Sequence, residues 1–418
     1  MKILWITNIL FPDICKDLGI IEPVIGGWMY SLAKLLIQDS SLKLAVASVY
    51  SGKKLKSKEI NGITYFLIPS QGKNTKYCTK MEEFWQEVKE KYSPDIIHIH
   101  GSEFAHGLAY IRACSSKNVI ISIQGLVSIY QRYYYTGITN SKIIRHITFR
   151  DIVLRDNIFQ QRLKMKKRGA LEQEYIKSVD HVIGRTSWDK THSLAINPIV
   201  KYHFCNETLR SEFYLHKWSF ENCENFSIFI SQAVYPIKGL HQVLKALPAI
   251  LKKYPNTKLY VGGDDFVSVH SLKDRIRRNG YAKYLLKLMN NLNIRDKVVF
   301  TGLLNEKEMC SRYLKSHVFV CPSSIENSPN SLGEAQLLGV PCIASYVGGV
   351  PDMIENGRTG LLYRFEEIEM LSKAVCDIFN DSDLAQSLSL NGQMAAFKRH
   401  STLENKKTMI SIYNAVIK

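Results

Sequence analysis

The sequence predicts an α/β protein built from two doubly wound, Rossmann-like domains of similar size. Three observations predict it. The 418 residues exceed what a single core ordinarily organises and suit two or three domains of roughly 150 residues each. Short β-branched runs alternate with amphipathic helical stretches, the pattern of strand-helix units that feed parallel sheets. The alternation occurs twice, on either side of a polar stretch at residues 209–225 that reads as a join. The expected division is 1–218, 219–400 and a terminal helix 401–418 whose packing partner the sequence leaves open.

In the first half, strands are predicted at residues 2–7, 42–49, 63–68, 95–100, 119–123, 181–184 and 200–203. Helices are expected between them at 27–38, 82–91 and 103–113, with a long one from about 142 to 177. Residues 8–23 read as a loop. In the second half, strands are predicted at 226–231, 258–262, 298–301, 318–321, 342–345 and 360–363. The intervening helices fall at 240–253, 272–291, 306–315, 331–338 and 367–379.

Composition narrows the class further. With 45% hydrophobic, 11% aromatic and 22% charged residues the chain is ordinary globular protein, which excludes bulk disorder. Nine cysteines, an odd number without a CxxC pair, point to a reducing, cytoplasmic setting and away from a disulfide framework or zinc site. Met1-Lys2 followed by Ile3-Leu4-Trp5-Ile6 lacks a small-residue cleavage site and reads as a first strand, not a signal peptide. No apolar run reaches the ~18 residues of a membrane span. The net charge of +17 implies an anionic partner: nucleic acid, acidic lipid or a phosphorylated substrate. Residues 1–218 hold 31 Lys and Arg against 19 Asp and Glu, so most of the excess is expected in the first half.

The chemistry-bearing motifs cluster in the second half. Glu326 and Glu334 stand eight residues apart across a strand-loop-helix junction. Ligands of open parallel sheets bind at the carboxyl ends of strands, where Glu326 is expected. Asn330, Ser331 and Leu332 would present backbone N–H groups at a helix N-terminus, a natural phosphate site. Lys238 lies in Tyr235-Pro-Ile-Lys-Gly-Leu240, where a strand hands over to a helix, and its ammonium can neutralise a leaving diphosphate. Gly348-Gly349-Val350-Pro351 follows the next strand, and its glycines allow backbone to approach a ligand closely. Asp264-Asp265 reads as a loop feature and not as a metal site.

On the Lys238-Gly239 pair, the Glu326-x7-Glu334 motif and the trailing Gly348-Gly349-Val350-Pro351, the sequence resembles the retaining GT-B-type glycosyltransferases of family 4, the nucleotide-sugar transferases of bacterial polysaccharide and glycolipid synthesis. The resemblance implies the GT-B fold, two Rossmann-like domains facing across a cleft. It implies that Glu334 holds the nucleotide ribose, Glu326 the hydroxyls of the transferred sugar and Lys238 the diphosphate. It implies no cofactor and no metal. Two positions depart from the family pattern. An arginine five or six residues before the motif lysine is replaced by Ala233 and Gln232. A histidine at the end of a first-half strand is replaced by Gln124, which can hydrogen-bond a hydroxyl but cannot take a proton, leaving the departing phosphate as the base.

In the first half, Gly26 and Gly27 open a helix; the resemblance sets them against the donor diphosphate, and a plain helix start is the alternative. His98 and His100 alternate on one strand and so point the same way. His100 is expected at the cleft, meeting the acceptor, and His98 in the packing; a third metal ligand is missing. Arg185, in Gly-Arg-Thr-Ser-Trp-Asp after another strand, is placed to meet a phosphate, with helix capping by Thr186 or Ser187 as the alternative. Residues 142–169 hold nine basic residues against two acids, with apolar residues interleaved. They read as one amphipathic basic helix, lying on an anionic membrane or packed on its own domain. Upstream, Tyr133 and its neighbouring tyrosines are candidates to stack on a sugar or line the path of a polyprenyl-phosphate-linked acceptor.

The expected partners are a nucleotide sugar, a glycan or lipid-linked glycan acceptor and an anionic membrane surface at the inner face of the plasma membrane. A nucleotide-sugar 2-epimerase would share the fold but needs carboxylates and histidines facing carbon 2 of the sugar. A nucleic-acid-binding protein rests on charge alone and lacks any helix-turn-helix, RNA-sheet aromatic or zinc-finger signal.

Overall fold

The computed structural model describes residues 1–23, 26–71, 77–268 and 271–417, the side chains of residues 272, 273 and 275 excepted. The chain divides into two compact units. One comprises Met1–Ile129, Met165–Arg210 and His400–Lys418, the other Tyr130–Lys164 and Ser211–Arg399.

The first unit is organised by β1 (Lys2–Thr7), β2 (Lys43–Tyr50), β3 (Lys56–Ile60), β4 (Ile63–Pro69), β5 (Ile96–His100), β6 (Val119–Ser122), β7 (His181–Gly184) and β8 (Lys201–Phe204). They form one sheet in the order β3-β4-β2-β1-β5-β6-β7-β8. All neighbours are parallel except the β3–β4 hairpin. Strand β3 was not predicted, because Lys56, Lys58 and Glu59 leave it almost wholly exposed and break any apolar alternation. A charged, exposed edge strand also discourages pairing with another chain. The inner strands are buried on both faces, as β1 shows with five consecutive buried residues from Ile3 to Thr7.

The C-terminal helix Thr402–Ile417 packs on this unit, burying Met409, Ile412, Tyr413 and Val416 in the cluster that holds Ile3 and Trp5. A buried polar chain fastens it. Trp5 Nε1 donates to the Tyr413 hydroxyl at 2.9 Å, which lies 2.7 Å from His98 Nδ1, and His98 Nε2 lies 2.7 Å from Ser122 Oγ. Because the indole can only donate, the tyrosine proton goes to Nδ1, and Nε2 then carries the ring proton toward Ser122. Burial holds His98 neutral, with its pKa near 3.

The second unit is built on β9 (Glu224–Ile230), β10 (Lys258–Val261), β11 (Val298–Phe300), β12 (Ser316–Cys321), β13 (Cys342–Ser345) and β14 (Leu361–Tyr363). Every pairing is parallel, in the order β11-β10-β9-β12-β13-β14. This is the 3-2-1-4-5-6 order of the dinucleotide-binding fold, and the strand order reverses between β9 and β12.

Several expectations are corrected. Residues 142–169 do not form one amphipathic helix. They are divided among Asn140–Arg145, Phe149–Val153 and Ile158–Lys177. The break is local chemistry: Thr148 accepts from Asp151 N while the Asp151 side chain accepts from Thr148 N, a capping box that starts a new helix. Asp151 Oδ2 also accepts from Gly280 N at 2.8 Å, so one buried carboxylate caps two helices and ties this segment to the helix Gly280–Asn291. The expected helix 272–291 is likewise split, with Asn279 capping the second part at Ala282 N. The expected loop 8–23 contains the helix Pro12–Leu18, and the helix Ser382–Arg399 was not predicted at all.

The boundary at 218/219 is replaced by Arg210/Ser211, with 130–164 assigned to the second unit. The charge excess, although greater in residues 1–218, is therefore shared almost equally by the two units. The first unit holds 26 Lys and Arg against 17 Asp and Glu, and the second 29 against 21, so the units carry +9 and +8.

Candidate active site

The second unit gathers Lys238, Glu326, Glu334 and the intervening helix start at the carboxyl ends of β9 and β12, where the strand order reverses. Lys238 Nζ donates to Glu326 Oε1 at 2.6 Å, and Ser323 Oγ donates to the same oxygen at 2.7 Å. Glu326 is buried and Lys238 half-buried. Burial alone would pull the lysine pKa down, but the Glu326 charge and hydrogen bond outweigh it and leave the pKa raised. The ammonium is thus held charged at the switch point. The Cys321 thiol beneath is pushed up to about 12 by burial and the Glu326 charge, so it is inert.

Two glycines make this proximity possible. At Gly239, φ is +74° and a Cβ would lie 1.7 Å from the Pro322 carbonyl oxygen, so the turn after β9 touches the turn after β12. Ser324 N then donates to Ile237 O at 2.8 Å across the same contact. At Gly348, φ is +53° and a Cβ would lie 1.9 Å from the Glu326 carbonyl oxygen; Gly349 N donates to that oxygen at 3.0 Å. The close approach expected of Gly348 and Gly349 is, among the described residues, to the backbone of Glu326. They approach the Glu326 backbone and fix it, and the Gly349 N–H is already used.

The helix Asn330–Leu338 begins after Pro329. Leu332 N donates to Pro329 O at 3.0 Å, so of the three expected N–H donors Leu332 is engaged. Asn330 and Ser331 occupy the first two helical positions, whose N–H groups lack intrahelical acceptors and meet the positive end of the dipole. Glu334, on the same helix, is buried.

Tyr133 enters from the segment 130–164. Its carbonyl accepts from Ser324 Oγ at 2.8 Å, and its ring is 39% exposed. The loop after it is fastened to the helix Leu240–Lys253: His241 Nε2 lies 2.9 Å from Thr136 O and Lys245 Nζ donates to Gly137 O at 2.9 Å. Tyr133 is therefore a neighbour of the Glu326 turn within one unit. Ser323 and Ser324 were not singled out from sequence, although their position directly after β12 was a usable signal.

The first-unit candidates behave differently. His100, expected partly buried at the cleft, and Arg185, expected to meet a phosphate, are both buried, and they line a cavity of about 10 Å³ with Trp28 and Glu207. That is room for about one water. Arg185 is ion-paired with Glu207, and its Nη2 donates to Ile123 O at 2.9 Å and Gln124 O at 3.1 Å. It holds the turn that carries Gln124, which is half-buried. Thr186 and Asp189 form the capping box beside it. His100 stacks on His98 at 3.9 Å, and burial keeps its pKa well below the ordinary value. Gly26 is the N-cap and Gly27 the first residue of the helix Gly27–Leu36, which has no side-chain cap. Asp265 accepts from Val267 N and Ser268 N and pairs with Arg295, which makes Asp264-Asp265 a structured loop.

The second unit is an α/β domain with a parallel six-stranded sheet that gathers a cation, carboxylates and a helix start at its switch point, the place where open parallel sheets bind ligands. Residues 211–394, the greater part of the second unit, match the family described as Glycosyl transferases group 1. The fold as a whole is GT-B. It superposes on sucrose-phosphate synthase from Thermosynechococcus elongatus with a TM-score of 0.71 and 16% identity, covering 100% of this chain and 99% of that one. The Anabaena protein HepE, solved with UDP and glucose, gives 0.65 and 16%, covering 99% of each. Among curated relatives, a GDP-mannose-dependent alpha-(1-6)-phosphatidylinositol monomannoside mannosyltransferase of Mycolicibacterium smegmatis is 25% identical over 177 residues, 41% of each chain. The chain spans about half the length, or less, of the curated relatives it matches. Among the described residues no helix is long and apolar enough to cross a membrane.

Proposed function

We propose that the protein is a retaining glycosyltransferase of family 4 that moves a sugar from a nucleoside diphosphate to a hydroxyl of a glycan or lipid-linked glycan acceptor, in surface polysaccharide or glycolipid assembly. The observation that carries the reading is the Lys238–Glu326 pair, 2.6 Å apart at the switch point and beside the open N-terminus of the helix Asn330–Leu338. Lys238 and the N–H groups of Asn330 and Ser331 receive the donor diphosphate, and Glu334 on that helix receives the ribose hydroxyls. When donor binds, the diphosphate competes for the ammonium and frees Glu326 to accept from the sugar.

In the transfer step the bond from the anomeric carbon to the diphosphate oxygen breaks and the acceptor oxygen bonds to the same face of that carbon. The acceptor proton passes to the departing phosphate, which takes the base role that Gln124 cannot fill. Charge developing on the leaving group meets a preformed cation and helix dipole, the electrostatic stabilisation that such sites supply without reorganisation. Lys238 and the helix N-terminus supply this charge without a metal ion. The matched mannosyltransferase is named for GDP-mannose and HepE was solved with UDP and glucose, so the base and sugar are chosen by experiment. A panel of UDP-, GDP- and dTDP-sugars, read by thermal stabilisation and nucleotide release, identifies the donor, since a bound ligand raises apparent stability by mass action. The reading requires release to be acceptor-dependent, insensitive to EDTA and to yield product of unchanged anomeric configuration. Conversion of the donor to its 2-epimer with no acceptor present would replace it.

A further inference from the structure

The segment 130–164 contributes a surface that donor chemistry does not use. In the helix Phe149–Val153, Phe149, Ile152 and Val153 stand at i, i+3 and i+4 and so share one face. That face is bare: Phe149 is 75%, Ile152 65% and Val153 60% exposed, and Ile144, Leu154 and Ile276 nearby in the chain or on the contacting helix Leu272–Arg277 are each more than half exposed. Large apolar side chains clustered this densely on a surface mark a contact site.

Beside this ridge lies a groove of about 310 Å³ between the helices Asn140–Arg145 and Gly280–Asn291. Arg145, His146, Arg278, Lys283 and Lys287 line it, and no carboxylate does. Arg145, Lys283 and Lys287 have no ion-pair partner among the described residues. The His146 ring is buried, with Nδ1 2.6 Å from Lys142 O, and packs edge-on against Tyr284 at 5.5 Å. Burial and the charges of Lys283, Lys287 and Arg145 lower its pKa, so the cations act on one another across the groove.

We propose that groove and ridge together form a docking surface for an anionic lipid bilayer, the groove receiving phosphate headgroups and the ridge entering the acyl boundary. Charge complementarity selects this occupant. A soluble polyanion would satisfy the groove and leave the ridge in water. A second copy of the chain, itself +17, would bring the same cations against these. As the place of membrane contact the surface rests on the reading of a lipid-linked acceptor, but its binding is measured with neither donor nor acceptor present.

The test is co-sedimentation of the full chain with vesicles of phosphatidylcholine, against vesicles in which about a third of the lipid is phosphatidylglycerol. Binding is expected only to the anionic vesicles. Lys283→Gln with Lys287→Gln should weaken it about 30-fold, from ~1 kcal/mol per cation near such a surface. Phe149→Ser with Ile152→Ser should weaken it at least about tenfold through lost apolar burial. Stabilisation by nucleotide should be unchanged in both variants, which separates failure of docking from failure of the transferase reading. Equal binding to both vesicles, no binding, or wild-type binding by the lysine variant overturns the proposal. So does displacement by inorganic phosphate, which marks a soluble-anion site, or a dimer that Phe149→Ser converts to monomer, which marks self-association.

Discussion

The two sheets share a strand order at their centres, β4-β2-β1-β5-β6-β7 in one unit and β11-β10-β9-β12-β13-β14 in the other, yet their carboxyl ends have opposite fates. In the second unit Lys238 remains half-buried and is paired with the buried Glu326, beside a helix start whose first N–H groups lack intrahelical acceptors. In the first, His98, Arg185 and Glu172 are buried and bonded to neighbouring side chains or the backbone, and His100 is buried among the rings of Trp5, Trp28 and His98. Topology places a crevice at both switch points. In the second unit a partly exposed lysine and a helix start stand there, and in the first the same positions become polar core.

The sharpest break of this comparison is at Lys238. Lys238→Ala should lower kcat/KM by at least about 10³-fold, roughly 4 kcal/mol of lost charge stabilisation, with the circular dichroism spectrum unchanged. Glu334→Ala should abolish transfer similarly. Wild-type turnover in either would remove the site assignment. The matching substitution in the first unit, Arg185→Met, should act through stability. It strands the buried Glu207 carboxylate and frees the carbonyls of Ile123 and Gln124, at a cost of about 3 kcal/mol. A variant as stable as wild type but unable to bind acceptor would show that Arg185 meets substrate directly.

Gly348→Ala tests whether the second-unit turn is built for position. A Cβ there runs into the Glu326 carbonyl oxygen, in a left-handed backbone region that alanine resists. Displacing Glu326 by a fraction of an ångström to one ångström should cost about 100-fold in transfer. Nucleotide binding, which the proposed function assigns to Lys238 and the helix start, should fall much less. Equal loss of both would place the glycine in general folding.

These contrasts explain what was legible in the sequence. Strands 2–7, 181–184 and 342–345 coincide with β1, β7 and β13, because buried parallel strands are continuous apolar runs with clear ends. That Lys238, Glu326 and Glu334 come together was legible because each lies in the connection from a strand to the next helix or in the first turns of that helix. What escaped depends on distant pairing. Whether Gly349 N–H faces a ligand or Glu326, and whether His100 faces solvent or Trp5, is decided by residues far away in the chain. The basic stretch misled for a related reason: its apolar residues suit one helix, but the Thr148–Asp151 capping box and the partner Gly280 divide it. The helix Ser382–Arg399 carries Asn391-Gly392 in its interior and no clean apolar stripe, so only its packing on the helix Asn330–Leu338 makes it visible.

The smallest expected effect comes from a buried carboxyl of the first unit. Glu172 is wholly buried; Oε1 accepts from Val127 N at 2.9 Å and Ser102 Oγ at 3.2 Å, and Oε2 from Ser128 N at 2.8 Å. It thereby caps the short helix Val127–Tyr130 that follows the Gln124 turn. Burial raises its pKa to about 7, against the opposing pull of the Ser128 and Val127 hydrogen bonds. A carboxyl whose pKa is higher folded than unfolded binds more protons in the folded state, so its stabilising contribution is complete below the ordinary carboxylate range and is lost as pH rises toward 7. The slope cannot exceed about 1.4 kcal/mol per pH unit for one proton. Glu172→Gln is neutral throughout and should flatten that slope, while giving up one of two acceptor oxygens lowers stability by about 1 kcal/mol. Amide hydrogen exchange at Val127 and Ser128 between pH 4.5 and 7, corrected for intrinsic rates, reads the local change directly. An undiminished slope in Glu172→Gln would assign the titration to Glu103, whose pKa burial also raises.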